Sequence, residues 1–217
     1  MARLRRQPHV VPVLSLEGHA QDTDARRGRG VHHHLQSVMQ RLRHAHVFYG
    51  ISFTVTRANY DLVTDPAYVG ELRAAGGKLF FYVDYVPVQP GTEALALSEE
   101  QHLAEAQRLL ALRAQQPALY VALPGDEELY GGCLAAGRGF VHISPEGRVE
   151  PCPFAPYSDA SLANLSLKEA LNSELLRTIS ESDVHLAETN GGCALWQHRD
   201  WVAGLLHRNF NDSFPRA

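Results

Sequence analysis

An α/β fold with parallel strands, followed by a small domain of one hairpin and several helices, is what this 217-residue sequence predicts. Three observations predict it. Short apolar runs alternate with helix-patterned stretches as far as Leu123, the pattern of a parallel sheet joined by crossover helices. After Pro124-Gly125-Asp126 the texture changes, with four glycines between residues 131 and 139. All three cysteines, Cys133, Cys152 and Cys193, fall in this second part. The domain boundary is placed near residue 128, giving domains 1–128 and 129–217.

The elements follow in order. Residues 10–16 are a short apolar run broken by Pro12, which reads as a buried strand. Residues 18–30 are polar with three glycines and read as a loop. Leu35, Val38, Met39 and Leu42 recur at helical spacing. A buried strand is expected over 47–55. Thr64-Asp65-Pro66 opens the next helix with a capping side chain and a first-turn proline, and Gly76-Gly77 closes it. Residues 79–86 are aromatic and β-branched, as strands are. Ser98-Glu99-Glu100-Gln101 is a capping box ahead of a helix to about residue 116, and 118–123 make a further strand.

In the second part, 140–144 and 148–152 read as a hairpin, with Pro145 pre-setting φ in the turn Ser144-Pro145-Glu146-Gly147. Ser166-Leu167-Lys168-Glu169 is a second capping box, opening a helix to about residue 179. A last helix is expected over 195–206, anchored by Leu195, Trp201, Val202 and Leu205.

The cysteines carry the chemistry. Cys133, Gly147 and Cys152 stand as C-x13-G-x4-C, and Cys193 follows within Gly191-Gly192-Cys193-Ala194-Leu195-Trp196. A hairpin of this layout brings two thiolates to one side of a metal. Thiolates are soft ligands that select zinc, copper(I) or an iron–sulfur cluster. They must be deprotonated to bind, which couples binding to folding and to pH. A zinc site would use the same three cysteines plus water or a histidine. His142 and His198 are the candidates, at spacings that match no standard zinc motif.

The pattern C-x9–15-G-x4-C followed by more cysteine resembles the auxiliary-cluster (SPASM and twitch) domains of radical SAM enzymes. So does the text around it: Gly132-Cys133 through Gly139-Phe140, Val149-Glu150-Pro151-Cys152-Pro153-Phe154, and Asn164-Leu165-Ser166-Leu167. Earlier in the chain, Val13-Leu14-Ser15-Leu16-Glu17-Gly18 resembles the fourth strand of the radical SAM barrel. Asp24-Ala25-Arg26-Arg27-Gly28 resembles the loop after it. Gly50-Ile51-Ser52-Phe53-Thr54 with Asn59 resembles the fifth strand, and residues 79–87 the sixth.

The resemblance implies an incomplete parallel β/α barrel followed by a small iron–sulfur domain. It implies an auxiliary 4Fe-4S cluster on Cys133, Cys152 and Cys193, and a cavity for S-adenosylmethionine in the intact enzyme. By resemblance Ser15 and Glu17 face the ribose, and Arg26 or Arg27 meets the methionine carboxylate; Ser52 and Thr54, on one strand face, line the same cavity. Asp84 and Tyr85, at a strand end, are candidates to line a substrate pocket. Two features depart from the family. The C-x3-C-x2-C run that binds the S-adenosylmethionine-cleaving cluster is absent from this sequence, and so are the further cysteines of a full SPASM domain. The expectation is therefore a C-terminal portion of a radical SAM oxidoreductase, inactive alone and completed by a separate N-terminal half. Its substrate would be a peptide or a small molecule. The alternatives are an iron–sulfur or electron-transfer module that complements a partner chain, and a zinc-binding structural module.

Composition bounds these readings. A formal charge of −4 argues against nucleic acid as a partner. No apolar run approaches the roughly eighteen residues of a membrane span. An odd number of cysteines suits a reducing cytoplasm and metal binding better than a disulfide framework. The run His32-His33-His34 cannot converge on one metal from a helix, because consecutive side chains diverge; it reads as a solvated helix start.

Overall fold

Four strands form a parallel sheet whose order follows the chain: β1 Val13–Leu16, β2 Gly50–Val55, β3 Leu79–Asp84 and β4 Leu119–Leu123. In this computed structural model, residues 1–187 and 193–212 are described, with side chains through residue 206. The chain divides into two compact units, Met1–Leu123 and Pro124–Ala217. The division falls after Leu123, where β4 ends, rather than after residue 128; the 3-10 turn Asp126–Tyr130 belongs to the second unit.

In the first unit the register aligns Ser15 with Ser52 and Ser52 with Phe81. Because side chains alternate along a strand, Leu16, Ile51, Phe53, Phe80, Tyr82 and Tyr120 share one face, and all are buried. The opposite face carries Ser15, Ser52, Thr54, Phe81, Val83 and Val121, all half-buried. The helices of this unit are α1 Ala2–Arg5, α2 Ala20–Arg27, α3 Val31–His44, α4 Tyr60–Val63, α5 Pro66–Ala74 and α6 Glu99–Gln115. Met39 and Leu42 of α3, Val69 and Leu72 of α5, and Leu109 and Leu112 of α6 complete the core on the buried sheet face.

The helix starts obey local chemistry. The Asp65 carboxylate accepts from the amides of Ala67 and Tyr68 ahead of Pro66, and Ser98 and Gln101 form the reciprocal capping box of α6. The segment read as a loop over 18–30 contains α2 instead. Its single buried residue is Thr23, so it has no apolar stripe to betray it.

The second unit holds a three-stranded antiparallel sheet: β5 His142–Ile143, β6 Arg148–Glu150 and β7 Ala160–Ser161. The expected hairpin is β5–β6, turning at Gly147, whose φ of +79° suits glycine. Among the described residues five helices follow: α7 Leu167–Ala170, α8 Glu174–Ser180, α9 Asp183–Leu186, α10 Ala194–Gln197 and α11 Arg199–Asp212. The capping box at Ser166 opens only α7. A second cap interrupts the expected longer helix, where Ser173 Oγ accepts from Leu176 and the Asp159 carboxylate from Leu175. The expected last helix is likewise split, at His198. The core of this unit joins Leu175, Leu176, Ile179 and Leu195 to small residues, among them Ala135, Ala155 and Ala194.

Candidate functional site

The turn after β1 is fastened by buried hydrogen bonds. Asn59 Nδ2 donates to the carbonyls of Glu17 (2.9 Å) and Thr54 (3.0 Å), while its Oδ1 accepts from the amide and hydroxyl of Thr56. Tyr68 Oη and Thr23 Oγ1 both donate to the Gly18 carbonyl. These bonds fix the backbone that carries Glu17, whose residue is only 3% exposed. Glu17 Oε1 lies 2.5 Å from Arg27 Nη2 and 3.3 Å from Arg26 Nε. Its Oε2 is buried with no hydrogen-bond partner among the described residues. Burial raises the Glu17 carboxyl above its ordinary value, with the Arg26 and Arg27 charges pulling the other way. Arg26 also lies over the Tyr85 ring, 5.6 Å from its centroid.

The predicted site residues of the first unit thus fall into two groups. Ser15 and Ser52 are register partners, and Thr54 follows on the same half-buried face. Glu17, Arg26 and Arg27 form an ion-paired knot at the end of β1, so Arg27 directs its charge at Glu17. Asn59 bridges the groups through the backbone of Glu17 and Thr54.

Asp84 does not join them. It continues the phase of Phe80 and Tyr82, so it lies on the helix-covered face and is buried. There it meets His102 of α6, with Nδ1 of the ring 2.9 Å from Oδ2. His102 and Glu105 stand three residues apart on α6, a spacing that puts both on one helical face. That spacing was the available signal; their approach to Asp84 is purely tertiary. A groove of about 1090 Å³ also opens in this unit, lined by His19, His32, Met39, Tyr68 and Glu71 among others; none of Ser15, Ser52 and Thr54 lines it.

In the second unit the thiols are arranged around one core. Cys133 and Cys152 are buried members of the same apolar cluster, and Cys193, half-buried, is the N-cap residue of α10 just ahead of Ala194 and Leu195 of that cluster. No disulfide joins them. Residues 191 and 192 of the Gly-Gly-Cys motif lie outside the described residues. Burial is the main cause that pushes the Cys152 thiol up to about 11, and the nearby Cys133 adds to it. Backbone N–H groups of Phe154 and Ala155 hydrogen-bond the Cys152 sulfur and pull the other way.

Gly132 makes the approach of Cys133 possible. A Cβ there would sit 2.2 Å from the Leu186 carbonyl oxygen, the same oxygen that accepts from the Cys133 amide at 2.8 Å. The Glu127 carboxylate, in turn, accepts from the Leu134 amide. His142 is paired with Glu150 at 2.9 Å, and His198 packs edge-on against His185.

No family model matches this chain, and no curated protein matches it. Solved structures do. One, of native anSMEcpe with bound AdoMet and a Cp18Cys peptide, has a TM-score of 0.58 at 13% identity, over 79% of this chain and 53% of that one. A second, of native anSMEcpe with bound AdoMet and a Kp18Cys peptide, has a TM-score of 0.59 at 10% identity, over 98% of this chain and 73% of that one. The chain therefore spans about half the length of the first of these and three-quarters of the second. At such identities the likeness is one of fold. Among the described residues, no helix is long and apolar enough to cross a membrane.

Proposed function

We propose that this chain is the C-terminal portion of a radical SAM oxidoreductase. In this reading the first unit supplies half of a parallel β/α barrel, and the second holds an auxiliary 4Fe-4S cluster on Cys133, Cys152 and Cys193. The observation that carries it is the pairing, in one chain, of a four-stranded parallel sheet with a cysteine-bearing small unit, in a fold shared with a protein solved with AdoMet and peptide bound.

The residues present suit both groups. Cys133 and Cys152 sit together among alanines, and two amides already address the Cys152 sulfur, as amides do around cluster thiolates. For S-adenosylmethionine, the unpartnered Oε2 of Glu17 is an acceptor left for a ribose hydroxyl. Ser15, Ser52 and Thr54 supply small polar groups on the half-buried face, and Arg27 orients Glu17. Bound there and given one electron, S-adenosylmethionine would break its S–C5′ bond, release methionine and so supply the radical chemistry that takes hydrogen from a substrate. This chain's part is to orient it and to shape the cavity for a peptide or small-molecule substrate. The cluster that would reduce it needs C-x3-C-x2-C, absent from this sequence, so a separate N-terminal radical SAM half is the proposed partner. A reducing cytoplasm is the matching compartment.

Anaerobic reconstitution with iron and sulfide tests the reading. The expected result is close to one four-iron cluster per chain, abolished in Cys152→Ala. Stoichiometric zinc with no iron-dependent visible absorption would favour the zinc-binding alternative and overturn it. With dithionite and S-adenosylmethionine, the chain alone is expected to make no 5′-deoxyadenosine above background.

A further inference from the structure

Away from the residues assigned above, three ligating side chains converge between β3 and α6. Asp84 ends β3; His102 and Glu105 lie on one face of α6. Their donor atoms all fall within 4.8 Å of one another. Asp84 and Glu105 are 7% and 5% exposed, and the His102 side chain 17%. The Glu105 carboxyl hydrogen-bonds Asp84, and its Oε1 is buried with no hydrogen-bond partner among the described residues. A desolvated acceptor of this kind forfeits its hydration without replacement. Here it is held in a cluster of two further ligating groups.

We infer that Asp84, His102 and Glu105 form a binding site for one divalent transition-metal ion of the zinc class. Two carboxylates and one imidazole match the charge of a divalent cation, so the loaded site is neutral where unpaired charge is costly. The donor set selects the ion. Calcium and magnesium take oxygen ligands, usually six or more, and copper(I) prefers sulfur. Zinc accepts imidazole and carboxylate together, and three protein ligands leave a fourth position for water or a small ligand. The scaffold is fixed at both sides: Asp84 is held in the register of β2–β3, and the reciprocal capping box of α6, Ser98 with Gln101, ends one residue before His102. The inference does not depend on the radical SAM reading, because it involves none of the cysteines and none of Ser15, Glu17, Ser52 and Thr54.

The test is a cobalt(II) titration of the metal-free 217-residue chain, with cobalt standing in for zinc. Cobalt on the cysteines gives intense sulfur-to-metal charge transfer; cobalt on oxygen and nitrogen gives only weak ligand-field bands. One equivalent of the second kind is expected. Glu105→Gln, of the same shape, should weaken that equivalent at least a hundredfold while the sulfur-derived band stays unchanged. A second measurement needs no variant: one equivalent of zinc beyond those taken by the thiols should shift the ring resonances of His102. Equal oxygen–nitrogen cobalt uptake by the wild-type chain and Glu105→Gln, no such uptake by the wild-type chain, or an unmoved His102 ring would each overturn the assignment and leave a proton-sharing carboxyl pair beside a histidine.

Discussion

Asn59 Nδ2 donates to the Glu17 carbonyl at 2.9 Å, and so ties the exit of β1 to the exit of β2. The same amide group also reaches the Thr54 carbonyl, and its oxygen serves Thr56. Removing it strands several buried backbone groups at once. Asn59→Ala is expected to lower unfolding stability by about 2–4 kcal/mol in a urea titration, since each unsatisfied buried group costs roughly 1–3 kcal/mol. A loss within experimental scatter would mean that water replaces the side chain. Asn59→Asp should also destabilise, because a carboxylate there would oppose the Glu17 and Thr54 carbonyls.

The raised thiol of Cys152 predicts an order of chemical reactivity. Alkylation proceeds through the thiolate. In the metal-free native chain at pH 8, half-buried Cys193 should be modified first by iodoacetamide and Cys152 last, as read by peptide mass mapping. Denaturant should abolish the difference. Early modification of Cys152 would contradict its burial.

Asp24 binds the start of α3, its Oδ2 accepting from Gly30 at 2.7 Å and its Oδ1 from His32 at 2.8 Å. Those amides hold its carboxyl below the usual value. A carboxyl with a depressed folded pKa favours the fold when ionised. Its contribution is therefore present above the ordinary carboxylate range and is lost as the pH falls through the lowered value. Asp24→Asn should unfold more easily than wild type at neutral pH, and the two stabilities should converge in acid. Parallel curves down to the acid limit would show that the carboxylate charge is not what matters.

The β1 edge should associate. Among the described residues β1 pairs only with β2, and Val13 is 41% exposed. Unpaired strand edges template pairing with other chains, and lysine blunts them. The expected result is concentration-dependent self-association in analytical ultracentrifugation, reduced by Val13→Lys. A dilution-resistant monomer would speak against an open edge, and with it against a barrel that awaits other strands.

Much of the first unit was legible in the residues. The four strands announce themselves as apolar runs, and the alternation of Ser52 and Thr54 correctly puts them on one face. What alternation cannot tell is which face the helices cover. Asp84, whose place at a strand end suits a cavity, lies under α6 instead. The helix α2 escaped because Thr23 is its lone buried residue. In the second unit the hairpin turn was plain from Pro145 and Gly147. Its helices are shorter than their runs of good helix formers suggest, because caps at Ser173 and His198 interrupt those runs. The convergence of Asp84 on His102 and Glu105 joins residues distant in sequence, and only the packing of α6 reveals it.

The sheet order has a consequence for synthesis. Because each strand lies beside the one made just before it, every βα segment can dock on its predecessor as it leaves the ribosome. Each parallel pairing must still close a crossover, from Val13 to Gly50, from Gly50 to Leu79 and from Leu79 to Leu119, and parallel sheets form slowly for that reason. The last helix of this unit, α6, brings Leu109 and Leu112 to a core whose Phe80 and Tyr82 have already emerged. Until that helix arrives, Phe80 and Tyr82 have Phe53 and the Val63 carbonyl beside them and lack the cover of Leu109 and Leu112. A nascent chain paused between residues 84 and 99 is therefore the form that a chaperone would grip most readily.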